Sequence, residues 1–285
     1  MRILLFSDIH YTSDELAIPG AIVSVAAGDA LGHTQSEKVA ITRDWILAEH
    51  AKAPLDAVLM LGDLSIDDYD FRKLPENYCE KLKRELFDAL PCPVFALAGN
   101  HDSYPDALWE AAVGTPRQYS IGIGGIGVLM LDTFASFPAA GASGSPYTGI
   151  DCDFVRRELE KFGDQPVIVC AHHIDTKEID PAFAEILKTH PNVRALFRGH
   201  THHNAVLDYA GTPLIDIGGI AYNGFCIDGK WTFGYFDEKW AWGYELLELD
   251  EAISLRHVKP PLKYVAENGT FVYPGEVSGI LTIPR

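Results

Sequence analysis

Cysteine is scarce and unpatterned in this chain. Cys79, Cys92, Cys152, Cys170 and Cys226 lie far apart, are odd in number and never form a CxxC pair. That excludes a thiolate zinc finger and a disulfide framework, and leaves five reduced thiols acting as small hydrophobes. Long apolar runs are also missing: no stretch approaches the roughly 18 residues that a membrane-crossing helix needs. The start, MRILLFSD, enters an apparent core strand at once, with no charged leader, apolar segment or cleavage site, so a cytoplasmic protein is expected. Basic charge is in deficit, with 23 Lys and Arg against 40 Asp and Glu, a net charge of -17. Such a balance argues against a nucleic acid polymer as partner and for a small ligand.

What is present is a globular composition. Of 285 residues, 47% are hydrophobic and 11% aromatic, enough for a continuous core. No repeat, low-complexity tract or linker divides the chain, so one large domain is expected over residues 1–258. Residues 259–285, with four prolines and no helical period, read as an extended C-terminal tail packed on or near it.

Short aliphatic runs at 3–6, 57–61, 94–98, 127–131, 167–171 and 193–197 suit strands covered on both faces. Between them, 36–51, 76–90, 151–162 and 180–190 have amphipathic helical pattern. The chain is therefore α/β. Beyond about residue 205, closely spaced strand-like pieces separated by Gly and Asp suggest a second, mostly antiparallel sheet.

Five of these strands run into residues that can bind metal. SDIH offers Asp8 and His10, LGDLS offers Asp63, AGNHD offers Asn100, His101 and Asp102, VCAHHID offers His172 and His173, and FRGHTHHN offers His200, His202 and His203. In an open α/β sheet, strand ends on one edge gather their loops around a common crevice, so these segments are expected to converge. Asp8 and His10 are two residues apart, as are His200 and His202. In extended backbone such pairs point to one side, so each pair can grip one ion. Gly62, Gly99 and Gly199 each precede a ligand candidate, as close approach or a left-handed turn would require. Two aspartates, an asparagine and three or four histidines exceed what one tetrahedral zinc takes. The mixed oxygen and nitrogen donors suit two divalent transition metal ions, Mn, Fe or Zn, sharing a bridging carboxylate. Such a pair serves phosphate-ester hydrolysis.

The ordered set DxH, GD, GNHD, H and GHTH resembles the calcineurin-like metallophosphoesterases, with some likeness to their bacterial class III cyclic nucleotide phosphodiesterases. It spans roughly residues 1–210. The resemblance implies a four-layer αββα sandwich, two mixed β-sheets flanked by helices, with the site at its rim. By the same mapping Asp8, His10 and His202 hold the first metal, Asn100, His172 and His200 the second, and Asp63 bridges both. His101 corresponds to a histidine that is not a ligand and acts as acid or transition-state stabiliser, and Asp102 orients its ring. The family commonly has H-x-P where this chain has HHID. His172 is taken as the ligand and His173, with Asn100 and His101, as facing the substrate.

A small phosphate ester, a diester in preference to a monoester, is the expected substrate. A monoesterase or protein phosphatase of the same family, a metal-dependent nuclease and a non-catalytic scaffold are the alternatives. His33, His50, His190 and His257 are expected to be ordinary polar residues, and Asp67, Asp68 and Asp70 a solvated turn. The long segments at 11–35 and 134–149 should lie over the metal edge, the first offering Tyr11, Asp29 and His33 as possible contacts and the second forming a wall or lid.

Overall fold

The computed structural model describes residues 1–11, 35–65, 77–136, 144–220, 224–227, 230–233, 243–249, 252–266, 269–273 and 275–284. The apolar runs form strands. In chain order these begin with β1 (Arg2–Phe6), β2 (Ala57–Leu61), β3 (Val94–Leu97), β4 (Tyr119–Ile123), β5 (Ile126–Leu131), β6 (Val167–Ala171) and β7 (Val193–Arg198). They continue with β8 (Asn204–Tyr209), β9 (Thr212–Ile217), β10 (Gly224–Ile227), β11 (Lys230–Phe233), β12 (Tyr244–Leu249), β13 (Ala252–Lys259), β14 (Leu262–Ala266), β15 (Gly269–Tyr273) and β16 (Glu276–Pro284).

Two six-stranded mixed sheets result. Sheet 1 has the order β16-β13-β12-β1-β2-β3, and sheet 2 the order β4-β5-β6-β7-β9-β8. The parallel strands β1, β2 and β3 of one, and β6 and β7 of the other, carry the metal-competent loops.

Continuous apolar strands make sense because each face of each sheet is covered. Ile3 and Leu5 enter the core between the sheets, while Leu4 and Phe6 turn outward to a second core. In sheet 2, Val128 and Met130 face inward and Leu129 and Leu131 outward. Three helices cover the outer face of sheet 1: α1 (Gln35–Lys52), α2 (Tyr78–Glu85) and α3 (Asp106–Val113), through Ile46, Leu82 and Trp109. Over sheet 2 lie α4 (Cys152–Phe162) and α5 (Pro181–Thr189), through Val155, Leu159, Phe183 and Ile186. Both start on side-chain caps: Asp151 accepts from the Phe154 amide at 3.0 Å, and Asp180 from the Ala182 amide at 2.8 Å with Pro181 in the first turn. This is the four-layer αββα sandwich that the motifs implied.

The structure corrects the sequence reading at four places. The late strands do not make a separate antiparallel sheet: β8 and β9 extend sheet 2, with β9 parallel to β7, and β12, β13 and β16 extend sheet 1. Alternation in these strands is compatible with either arrangement, and pairing partners lie too far away in sequence to be read from it. The helical pattern at 76–90 breaks at Leu86 into α2 and a 3-10 turn, Phe87–Ala89. Helix α3 and strand β4 were not anticipated at all. Finally, residues 259–285 supply the hairpin β14–β15 and strand β16, which pairs along β13 from Lys259↔Glu276 to Ala252↔Pro284 as the outer strand of sheet 1.

Among the described residues, no helix is long and apolar enough to cross a membrane. Cys79, Cys92, Cys152 and Cys170 are free thiols. His50 and His190 stand at helix C-terminal ends, where positive charge is welcome, and His257 is paired with Glu245. Asp29, His33, Asp67, Asp68 and Asp70, and residues 137–143 of the expected lid, lie outside the described residues.

Candidate metal centre

The loops leaving β1, β2, β3, β6 and β7 meet at one edge, and their donor atoms fall into two clusters joined by a third group, His10, Asp63 and His101. Asp8, His10 and His202 form the first cluster, and Asp63, His172 and His200 the second. In the first, His202 Nε2 lies 3.2 Å from Asp8 Oδ1 and 3.4 Å from His10 Nε2. In the second, His172 Nε2 lies 3.1 Å from Asp63 Oδ2 and 3.2 Å from Asn100 Oδ1, and His200 Nδ1 lies 2.9 Å from the same Asn100 oxygen. Donors about 2.0–2.1 Å from a common ion stand roughly 3–3.5 Å apart, so these spacings are those of ligand shells. Asp63 Oδ2 is also 3.6 Å from His10 Nε2, which puts one oxygen between the two clusters.

Each carboxylate is held by one oxygen and presented by the other. Asp63 Oδ1 accepts the His101 amide at 2.9 Å, leaving Oδ2 to the centre. Asp8 Oδ2 accepts the His200 amide at 3.0 Å, leaving Oδ1 among the imidazoles. Such supporting bonds fix ligand direction. His172 is treated likewise: its Nδ1 donates to the Leu61 carbonyl at 2.7 Å, so Nε2 points at Asp63 and Asn100, both acceptors there. A nitrogen facing two acceptor oxygens needs a proton or a metal ion between them, and the donor set suits a divalent transition metal.

The backbone shows the same concentration of function. Six non-glycine residues among those described have positive φ, and five are Asp8 (55°), His10 (47°), Asp63 (49°), His200 (64°) and His202 (53°). Left-handed backbone at such residues costs on the order of 1–3 kcal/mol each and persists only where the surroundings impose it. This corrects the reason for convergence: the two-residue pairs do not sit in extended chain. It also divides the second pair, since His202 joins Asp8 and His10 while His200 joins Asp63 and His172. Two glycines make the close approach possible. A side chain at Gly99 would collide with Asp63, and one at Gly62, where φ is +89°, with His172.

Burial sets the charges. It lowers His10 to about 3 and His200 to about 4, keeping both rings neutral and ready to ligate. Burial also disfavours charge on His172, but Asp63 and Asp8 outweigh it and hold the ring up at about 9. An entering ion must therefore displace the His172 proton at any pH below about 9, whereas His10 and His200 have none to give near neutrality. Metal affinity is expected to rise about tenfold per pH unit through His172 between pH 6.5 and 8.5. Titrations with Mn²⁺ across that range check it, and a flat affinity would count against the assignment of His172.

Two expectations change at residue level. The Asp102 carboxylate, fully buried, accepts the amides of Gly99 (2.9 Å), Leu64 (3.1 Å) and Ser65 (2.9 Å). It staples the ends of β2 and β3 together rather than reaching back to the His101 ring, because its side chain turns inward from the loop. Tyr11 is buried in the outer core of sheet 1 with its hydroxyl on Glu85, so it is no substrate contact.

His101 is partly exposed, its ring edge-on to His10 with centroids 5.2 Å apart. It lies close enough to His10 and Asp63 to ligate, so metal content, not distance, separates its two possible roles. His173 follows His172, and its ring lies 4.7 Å from that of His200 and 5.1 Å from that of Tyr147. Phe134 packs against His172 and His200 at 5.6 and 5.8 Å. Neither Phe134 nor Tyr147 was singled out from sequence, although the segment 134–149 was expected near the metal edge. An aromatic flanking a Gly/Ala/Ser-rich loop was the available signal.

Comparison with known proteins agrees with this geometry. A probable cyclic nucleotide phosphodiesterase from a Synechococcus strain is 27% identical over 218 residues, 71% of this chain and 73% of that protein. A dimetal phosphatase from Danio rerio has the same fold, with a TM-score of 0.60 and 13% identity over 97% of this chain and 98% of its own. So does GAP50, described as the anchor in the inner membrane complex of Plasmodium, with a TM-score of 0.58 and 13% identity over 100% and 88%. The family model for calcineurin-like phosphoesterases matches residues 1–204, the span that holds every donor described above, and the chain belongs to that family.

Proposed function

We propose that the protein is a two-metal phosphodiesterase acting on a small phosphate diester. The observation that carries this reading is the position of Asp63 Oδ2, 3.1 Å from His172 Nε2 and 3.6 Å from His10 Nε2, between the two groups of donor side chains. Asp8, His10 and His202 would hold one divalent ion, Asn100, His172 and His200 the other, and Asp63 would bridge them. Ions so held supply an acidified water and polarise a phosphoryl oxygen. Mn, Fe and Zn all suit the donors.

The chain's own residues do the rest. His101, at the partly exposed rim, carries a ring able to protonate the leaving oxygen or stabilise charge on the phosphoryl group. His173, whose Nδ1 is buried and makes no hydrogen bond, forms with Phe134 and Tyr147 a flank suited to the organic part of the ester. Asp102 acts on catalysis through the loop that presents Asn100 and His101. The net charge of -17 supports a small substrate over a polymeric one.

Diester preference is supported by the Synechococcus relative, named a probable cyclic nucleotide phosphodiesterase. Under Mn²⁺, bis-p-nitrophenyl phosphate is expected to turn over with the higher kcat/KM, and cyclic nucleotides to be hydrolysed. Faster turnover of p-nitrophenyl phosphate would make the protein a monoesterase. Turnover of neither would favour a scaffold.

A further inference from the structure

Both donor clusters are composite. Asp8, His10, Asp63 and Asn100 follow strands of sheet 1, whereas His172, His200 and His202 follow strands of sheet 2. The spacing between donors thus depends on how the two sheets are held together at this edge. Beside the first cluster, the chain runs from His202 straight into β8, whose first residue is Asn204. Asn204 Nδ2 donates to Glu245 Oε1 across the gap between the sheets, at 2.6 Å. The same oxygen meets His257 Nδ1 at 2.7 Å.

Glu245 and His257 are 1% and 2% exposed and sit opposite each other in the β12–β13 ladder. On its other side Glu245 is paired with Leu5 of β1, three residues before Asp8. A carboxylate in such a place is costly, and hydrocarbon side chains of similar volume commonly fill a core at no loss of stability. The hydrogen bonds between Asn204 and Glu245 and between His257 and Glu245 contribute geometry: they tie the strand after His202 to β12, which flanks β1, and to β13 beyond it. The backbone bond from the Ile220 amide to the Ser7 carbonyl, 3.1 Å, joins the same two regions.

We propose that Glu245, with Asn204 and His257, is a positioning cluster that fixes His202 against Asp8 and His10 and thereby sets the affinity of the first ion site. The proposal rests on the metal-centre assignment above. It predicts a selective effect, because His172 and His200 are tied to Leu61 and Asn100 by bonds of their own.

The test is Mn²⁺ titration of the full chain followed by electron paramagnetic resonance, which separates a coupled pair from a lone ion. Wild-type protein is expected to give the coupled pair. Asn204→Ala and Glu245→Ala should each weaken one ion by about 10–100-fold, the range for loss of a supporting partner, and leave the other within a few fold. Glu245→Gln, which still offers an oxygen to Asn204, should retain most of the affinity. The Asn204→Ala/Glu245→Ala double variant should be no weaker than the worse single one, as for two ends of one contact. Asn204 is partly exposed, so its variant tests the idea even if Glu245→Ala does not fold. Unchanged affinity for both ions in Asn204→Ala, or equal weakening of both, would overturn the positioning role. Wild-type protein that takes up no pair would overturn the metal-centre assignment instead.

Discussion

Replacing Asp63 by alanine is expected to remove phosphoesterase activity and at least one ion. The carboxylate is 2% exposed, and burial works against its charge, but His172 and His101 hold its pKa well below the usual carboxylate range. It enters the centre ionised. One of its oxygens lies between the two clusters, so its loss would take a donor from each and leave His172 Nε2 with the more distant Asp8 carboxylate as its anionic neighbour. Loss of a merely supporting partner costs about 10–100-fold in metal affinity or activity, and a shared ligand should cost more than the upper end of that range. Asp63→Asn is the sharper variant, since it keeps shape and can still accept the His101 amide. Elemental analysis of both variants, with activity under saturating Mn²⁺, measures the effect; two ions retained with activity intact would refute bridging.

His101→Ala is expected to lower kcat by about 10²–10⁴ with ion content unchanged, the usual effect of losing a general acid. The two functions of this residue are separable because they use different atoms. Its backbone amide holds Asp63 Oδ1 at 2.9 Å and survives the substitution; its ring alone reaches the rim. The variant should also lose whichever limb of the pH–rate profile the ring supplies. Parallel loss of metal would show that His101 is a ligand, as its distance to His10 and Asp63 allows.

The candidate donors could be found from sequence because each motif follows an apolar run, and three of the five, GD, GNHD and GHTH, set a glycine beside a metal-competent side chain. Those signals are local. Parallel strands β1, β2, β5, β6 and β7 were legible for the same reason, as fully covered runs bounded by polar residues. What escaped was non-local or conformational. That β9 joins β7, and that β16 closes sheet 1, depends on partners more than a dozen residues away. The left-handed backbone at Asp8, His10, Asp63, His200 and His202 falls on residue types that adopt it more readily than most, but aspartate and histidine serve many conformations, so type alone does not reveal it. Asp102 shows the limit of motif transfer: the position was found, but its hydrogen bonds go to amides brought in from the next strand over.

The composite origin of the centre bears on how the protein comes into being. Donors up to Asn100 emerge early in synthesis, yet neither the Asp8, His10 and His202 cluster nor the Asp63, His172 and His200 cluster is complete until His200 and His202 have emerged and sheet 2 has closed on sheet 1. Neither half of the chain brings both clusters together alone. Capture of an ion pair by them would thus be a late event in maturation, after the layers have met.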